Sequence, residues 1–75
     1  MNPNLDTLIA KYVMSTRHHL IQPEATFADL GIDPIDVAML AMDIEDAFNL
    51  RLSDDTINAW CCIGDVERCV GRVAA

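Results

Sequence analysis

The chain has 75 residues, of which 52% are hydrophobic, and its 12 acidic and 5 basic side chains give a net charge of −7. This length allows one small domain over residues 1–75, and the hydrophobic content argues against disorder. The acidic balance disfavours nucleic-acid binding and suits partners with basic surface patches, although a role in solubility alone explains net charge equally well.

The first predicted helix carries one apolar stripe, because its hydrophobic side chains recur at i, i+3, i+4, i+7 and i+8. They are Leu5, Leu8, Ile9, Tyr12 and Val13. Asn2 and Pro3 suit the start of this helix, and the basic run at 17–19 suits the negative pole at its end.

A long loop is predicted from about Leu20 to Asp33, because Pro23 discourages helix in the residue before it. Phe27 and Leu30 are expected to anchor this loop to the core. Gly31 is expected to adopt a backbone conformation that a side chain would penalise.

Three further helical segments follow the loop. The second helix is predicted to begin at Asp33-Pro34, a favourable cap followed by proline in the first turn, and to end near Asn49. Ser53 is expected to cap a short third helix, and Gly64-Asp65 to open a fourth. The apolar positions of these segments are Val37, Leu40, Ala41, Ile44, Phe48, Ile57, Trp60, Val66, Cys69, Val70 and Val73. The pattern predicts an all-α fold with three main helices, a short third helix and a long first loop.

The segment around the start of the second helix carries the most specific motif. Phe27, Leu30, Gly31, Asp33, Ile35 and Asp36 stand in the order of the F-x-x-L-G-x-D-S-[LI]-D signature. The chain thereby resembles the acyl carrier proteins, small four-helix bundles that carry acyl intermediates of fatty-acid or polyketide biosynthesis on phosphopantetheine. The resemblance implies that the attachment serine falls at residue 34, and the residue there is Pro34.

Proline offers no hydroxyl, so we expect no phosphopantetheine on the chain as written, and a function exerted through protein–protein recognition. Three explanations stand for Pro34. The chain is a natural carrier-like module that lost its attachment site, or an ordinary carrier whose serine was replaced by proline, or the hydroxyl function has moved elsewhere. The third is weak, because Thr26 and Ser53 are eight and nineteen positions away.

The second helix is also the acidic part of the chain, since seven carboxylates and no Lys or Arg occur between residues 24 and 50. The resemblance implies that basic patches of acyl-transfer or synthase enzymes contact this helix. The predicted partner-binding residues are Asp33, Ile35, Asp36, Met39, Asp43, Glu45 and Asp46. Carboxylates at a helix start are also ordinary dipole partners, whereas those in its second half gain nothing from the dipole. Met39 stands where the family pattern expects an acidic residue, and either exposure as a contact point or burial against a loop fits it.

Cys61, Cys62 and Cys69 are too few and too unevenly spaced for a disulfide framework or a zinc template, so we expect free thiols in a reducing cytoplasm. A thiol- or metal-dependent regulator using Cys61 and Cys62 is the alternative of another class. No catalytic constellation is present, and we expect a monomeric protein that is not an enzyme. No apolar run approaches the ~20 residues of a membrane span. We expect no secretory signal, because the first residues lack a basic region followed by an apolar block.

Overall fold

Helical periodicity runs through most of the chain, and the computed structural model has helices where that periodicity is strong. It describes residues 3–74, with side chains from 4 to 71. The elements in this range are α1 (Pro3–Ala10), a 3-10 helix (Ser15–Leu20), α2 (Phe27–Leu30), α3 (Pro34–Phe48), α4 (Asp54–Asn58) and α5 (Ile63–Ala74). The all-α prediction of three longer helices with a short helix before the last is confirmed.

The core lies between α1, α3 and α5, and α2 closes one end of it. Its buried side chains are Leu5, Ile9, Val13, Ala25, Phe27, Leu30, Ile32, Leu40, Ala41, Ile44, Trp60, Ile63, Val66 and Val70. The 3-10 helix and α4 contribute no buried residue; Ile57 of α4, and Ile21 directly after the 3-10 helix, are half-buried against the core. Within residues 3–74, no helix has the length and apolar character needed to cross a membrane.

The first helix is shorter than its apolar stripe predicts, because α1 ends at Ala10. The N–H groups of Tyr12 and Val13 donate three residues back, to Ile9 and Ala10, so the helix tightens and then unwinds. Val13 is still buried and Tyr12 half-buried, as the stripe requires. The basic run at 17–19 therefore lies on the separate 3-10 helix and not at the end of α1. The expected cap, Asn2, lies outside the described residues.

The predicted loop contains a helical turn that the sequence reading missed. Thr26 caps α2 reciprocally with Asp29: the Thr26 hydroxyl accepts from the Asp29 N–H at 3.1 Å, and the Asp29 carboxylate accepts from the Thr26 N–H at 3.2 Å. The Thr-x-x-Asp spacing is the signal that could have revealed it. Phe27 and Leu30 are buried as expected, and Gly31 ends α2 in the left-handed region at φ 74°.

A short backbone ladder ties the loop to the start of α5. The Ile63 N–H donates to the Ala25 carbonyl at 2.9 Å, and the Gly64 N–H donates to the Pro23 carbonyl at 2.8 Å. Thr26 and Cys62 form an isolated antiparallel bridge beside them. Helix α5 begins at Ile63, one residue before the predicted start at Gly64-Asp65. Val73 was expected in its apolar stripe, but its side chain lies outside those that the structure describes.

Candidate functional site: the start and outer face of α3

The start of α3 has the geometry that the sequence predicts. The Asp33 side chain accepts from the Asp36 N–H at 2.8 Å, which satisfies one of the free donors at the helix start. Pro34 follows as the first helical residue, where its missing N–H costs no hydrogen bond. Asp33, Pro34 and Ile35 are all exposed, so residue 34 is accessible to a partner protein.

Three apolar side chains project from the outer face of α3 and form what we call the α3 ridge: Ile35, Met39 and Met42. Their exposed fractions are 72%, 47% and 64%. The spacing i, i+4, i+7 places them on one side of the helix. Met39 is thus exposed, as one of its two interpretations required. Met42 was not among the predicted partner-binding residues, although it lies seven positions after Ile35 and off the buried stripe.

Asp43 is half-buried and has two side-chain partners, so it has a structural role that the helix-dipole argument did not predict. The Tyr12 hydroxyl donates to Asp43 Oδ2, and Lys11 Nζ donates to the same oxygen at 3.0 Å. The Tyr12 hydrogen bond, and then that of Lys11, lowers the pKa of Asp43 below its ordinary value. The same bond, with burial, raises the pKa of Tyr12 to about 12. Asp43 therefore joins α3 to the end of α1.

Glu45 also has a structural partner, because its Oε2 accepts from the Leu52 N–H at 2.9 Å and closes the turn between α3 and α4. Asp36 is half-buried, and Asp46 is exposed in the second half of the helix. Of the three carboxylates that the dipole argument left unexplained, Asp46 alone makes no hydrogen bond or ion pair with the described part of the chain.

Two grooves lie between α3 and α4, the first mainly apolar and the second with Glu45 and Asp54 in its wall. One, of about 310 Å³, begins at Pro34 and is lined by Val37, Ile57 and Trp60. The other, of about 390 Å³, continues along Ala38, Ala41 and Met42. The small residues Ala38 and Ala41 form part of the α3 side of these grooves.

The cysteines lie apart from the α3 surface. All three are free thiols; Cys61 is exposed, and Cys62 and Cys69 are half-buried. The backbone N–H groups of Cys61 and Cys62 donate to Asp65 Oδ2 at 2.8 and 3.3 Å, so this pair forms part of the turn into α5. Among the side chains that the structure describes, no three of His, Cys, Asp or Glu are grouped for metal binding.

The two hydroxyls nearest to Pro34 on either side along the chain serve as helix caps. Thr26 Oγ1 accepts from Asp29, and Ser53 Oγ accepts from the Thr56 N–H at 3.2 Å at the start of α4. Pro34 itself has no hydroxyl, so a phosphopantetheine ester does not fit residue 34. The apolar groove beside it contains space next to an exposed helix start, but it supplies no nucleophile of its own.

Comparisons with known proteins agree with the motif at the start of α3. A family model described as the phosphopantetheine attachment site matches residues 7–70. The acyl carrier protein of Helicobacter pylori is 39% identical over 49 residues, which cover 64% of this chain and 63% of the relative. That of Wolinella succinogenes is 37% identical over 49 residues, 64% of each. The matched stretch therefore spans less than two thirds of the length of these relatives.

Proposed function

The chain belongs to the phosphopantetheine attachment-site family of acyl carrier proteins, and from that premise we propose that it acts as a carrier-like module without a covalent arm. Its activity is protein–protein recognition through α3, in fatty-acid- or polyketide-type biosynthesis. The partners are acyl-transfer or synthase enzymes with basic surface patches. The module is a cytoplasmic monomer and not itself an enzyme.

One observation carries this proposal: residue 34, where the motif would place the serine, is Pro34, and the helix start around it is intact. Asp33 caps α3, and Pro34 and Ile35 are the first two helical residues, both exposed. Proline at this position maintains the helix geometry that a serine would have, because its fixed φ suits the first turn. The change removes the attachment chemistry and leaves the surface that a partner would contact.

The recognition surface combines the α3 ridge with nearby carboxylates. Ile35, Met39 and Met42 offer flexible apolar contacts, and methionine adapts to irregular partner surfaces. Asp33, Asp36 and Asp46 supply negative charge, which accelerates encounter with a basic patch and fixes its orientation. Asp43 and Glu45 add to the same field, while their first role is to join α3 to its neighbours.

The intact helix start also supports a second candidate, an ordinary acyl carrier in which proline has been substituted for the serine. Both candidates use the same α3 surface, and they differ in whether attachment at residue 34 belongs to the protein's normal cycle. For both candidates, the motif residues that would surround a restored hydroxyl are already present. They are Asp33, Ile35 and Asp36.

The test is intact-mass measurement after incubation with coenzyme A and a phosphopantetheinyl transferase that accepts acyl carrier proteins. We expect the wild-type chain to stay unmodified and Pro34→Ser to gain one phosphopantetheine. Pro34→Ala is the matched control, because it removes the proline ring without supplying a hydroxyl.

Two results would contradict the proposal. If the wild-type chain gains the arm, attachment occurs elsewhere and the carrier is not arm-free. If Pro34→Ser stays unmodified while an ordinary acyl carrier protein is fully converted, residue 34 is not the attachment position and the identity of this site is wrong.

A further inference from the structure

A further pocket, which shares Trp60 with the groove at Pro34, lies between the α3–α4 turn, α4 and α5. It has a volume of about 400 Å³, within the ~300–1,000 Å³ typical of small-molecule sites. Two of the five Lys and Arg residues in the chain, Arg51 and Arg68, line it together with the apolar surfaces of Leu52 and Trp60. The chain has a net charge of −7, so a pocket lined by two arginine residues differs from its mostly acidic surroundings.

Arg51 is available to a ligand. It is exposed, and it makes no ion pair within the described residues. Glu45 and Asp46 line the shallow groove on its far side. The Glu45 carboxylate accepts from the Leu52 N–H, and within residues 4–71 neither Glu45 nor Asp46 pairs with Arg51.

Arg68 is only partly occupied by its partner. It donates through one terminal nitrogen to Asp65 Oδ1. The other Asp65 oxygen accepts from the N–H groups of Cys61 and Cys62, which lower the pKa of this carboxyl together with Arg68. Both carboxylate oxygens of Asp65 thus have partners although Asp65 also lines the pocket, whereas a guanidinium has five N–H donors, so Arg68 keeps donors for another anion.

The rest of the pocket wall is apolar or weakly polar except for Asp65, the carboxylate that is already paired with Arg68. The apolar part of the wall is formed by Leu52, Ala59 and Trp60, with the half-buried Cys69 beside them. Guanidinium groups bind carboxylates through paired charged hydrogen bonds, and an apolar wall favours a hydrocarbon body next to that head.

We propose that this pocket binds a small amphipathic monoanion, a carboxylate on a short hydrocarbon chain. Arg51 and Arg68 contact the carboxylate, and Leu52, Ala59 and Trp60 contact the hydrocarbon. The ligand is held without a covalent bond and without Pro34, so this site is independent of the function proposed for α3.

Octanoate is a suitable probe, and Trp60 is a direct reporter because it is the single tryptophan of the chain. We expect octanoate to change Trp60 fluorescence saturably. Octanol, which lacks the anion, and acetate, which lacks the hydrocarbon, should bind at least about tenfold more weakly, since a charged hydrogen bond or several buried methylenes contribute that much. Bound octanoate should also slow alkylation of Cys69, and leave that of Cys61, which lies outside the pocket, unchanged.

Arginine-to-glutamine substitutions test whether the charge of the pocket is needed for binding while the fold stays intact. Arg51→Gln should weaken octanoate binding about tenfold with unchanged thermal unfolding, because Arg51 has no ion pair to lose. Arg68→Gln should weaken it similarly, and Arg17→Gln, on the 3-10 helix, should have no effect. The proposal is overturned if the fluorescence change does not saturate, if octanol binds as tightly as octanoate, or if Arg51→Gln binds like the wild type.

Discussion

At the residue scale, Asp43 has the clearest physical role in the structure. One carboxylate oxygen accepts from both Tyr12 and Lys11, the residues that follow the last turn of α1. Exposed ion pairs such as Lys11–Asp43 contribute little, typically below ~1 kcal/mol. A half-buried hydroxyl donating to a carboxylate contributes more. Tyr12 is therefore the more important of the two partners.

The pKa shifts of Asp43 and Tyr12 predict that the contribution of this pair to the free energy of unfolding is constant over a range of pH and declines at both ends. Asp43 has a lowered folded pKa, so its contribution is complete above the unfolded value of ~3.9 and is lost as the pH falls through the folded pKa. Tyr12 has a folded pKa raised to about 12, so its contribution is complete below the unfolded value of ~10 and is lost as the pH rises through the folded one.

We expect Tyr12→Phe to lower the free energy of unfolding by about 1–2 kcal/mol at neutral pH and to abolish the alkaline decline. Denaturant unfolding across pH measures both effects. Tyr12 is the single tyrosine, so tyrosinate absorbance reports its titration directly. Lys11→Gln is the control and should cost less than about 1 kcal/mol. A tyrosinate midpoint near ~10 in the folded protein would show that the bond to Asp43 is not formed.

At the element scale, the attachment of the loop to α5 depends on how closely two backbones approach. A Cβ built on Gly64 would lie 2.9 Å from the Pro23 carbonyl oxygen, which accepts the Gly64 N–H at 2.8 Å. Gly71 lies seven residues further along α5, and a Cβ built on it would have no atom within 4 Å. The two glycines of α5 therefore have opposite consequences when replaced.

We expect Gly64→Ala to destabilise the protein by about 1–3 kcal/mol, because the backbone of the loop must move. Gly71→Ala should stabilise it by up to about 1 kcal/mol, since alanine is the better helix former and the space is open. Thermal and denaturant unfolding of the two variants form a matched pair. Equal effects of the same sign would mean that α5 does not contact the loop as closely as the ladder requires.

At the scale of the whole molecule, charge is distributed unevenly along the chain. Residues 24–50 hold seven carboxylates and no Lys or Arg, whereas residues 11–23 hold Lys11, Arg17 and two histidines and no carboxylate. The α3 ridge lies within the acidic half. A partner with a basic rim around an apolar centre would match both features, with charge setting the encounter rate and the ridge setting the lifetime.

Asp46→Lys tests the charge part of that surface, because Asp46 is exposed and has no partner among residues 4–71, whereas Glu45 accepts a hydrogen bond in the turn. With a synthase or acyl-transfer enzyme that binds acyl carrier proteins through a basic patch, association should slow severalfold, most at low salt. Glu24→Lys makes the same charge change away from α3. If it slows association equally, the partner responds to net charge and not to α3.

Met39→Ala tests the apolar part. Loss of a contact at the centre of an interface should raise the dissociation rate about fivefold or more, with little dependence on salt. Met14→Ala is the matched control, because Met14 is 69% exposed and lies outside α3. Equal effects of the two substitutions would rule out the α3 ridge as the contact surface.

The sequence by itself determined the family, the helical class, the start of α3 and most of the core. These follow from local causes: the spacing of apolar residues, the Asp33-Pro34 and Ser53 caps, and the motif from Phe27 to Asp36. Only the tertiary structure decided where α1 ends, that Asp43 and Glu45 join elements, that Gly64 contacts Pro23, and that Arg51 and Arg68 line one pocket. Most of these depend on contacts between residues of different elements, such as Tyr12 with Asp43 or Pro23 with Gly64, which are set by packing and are not encoded in local periodicity.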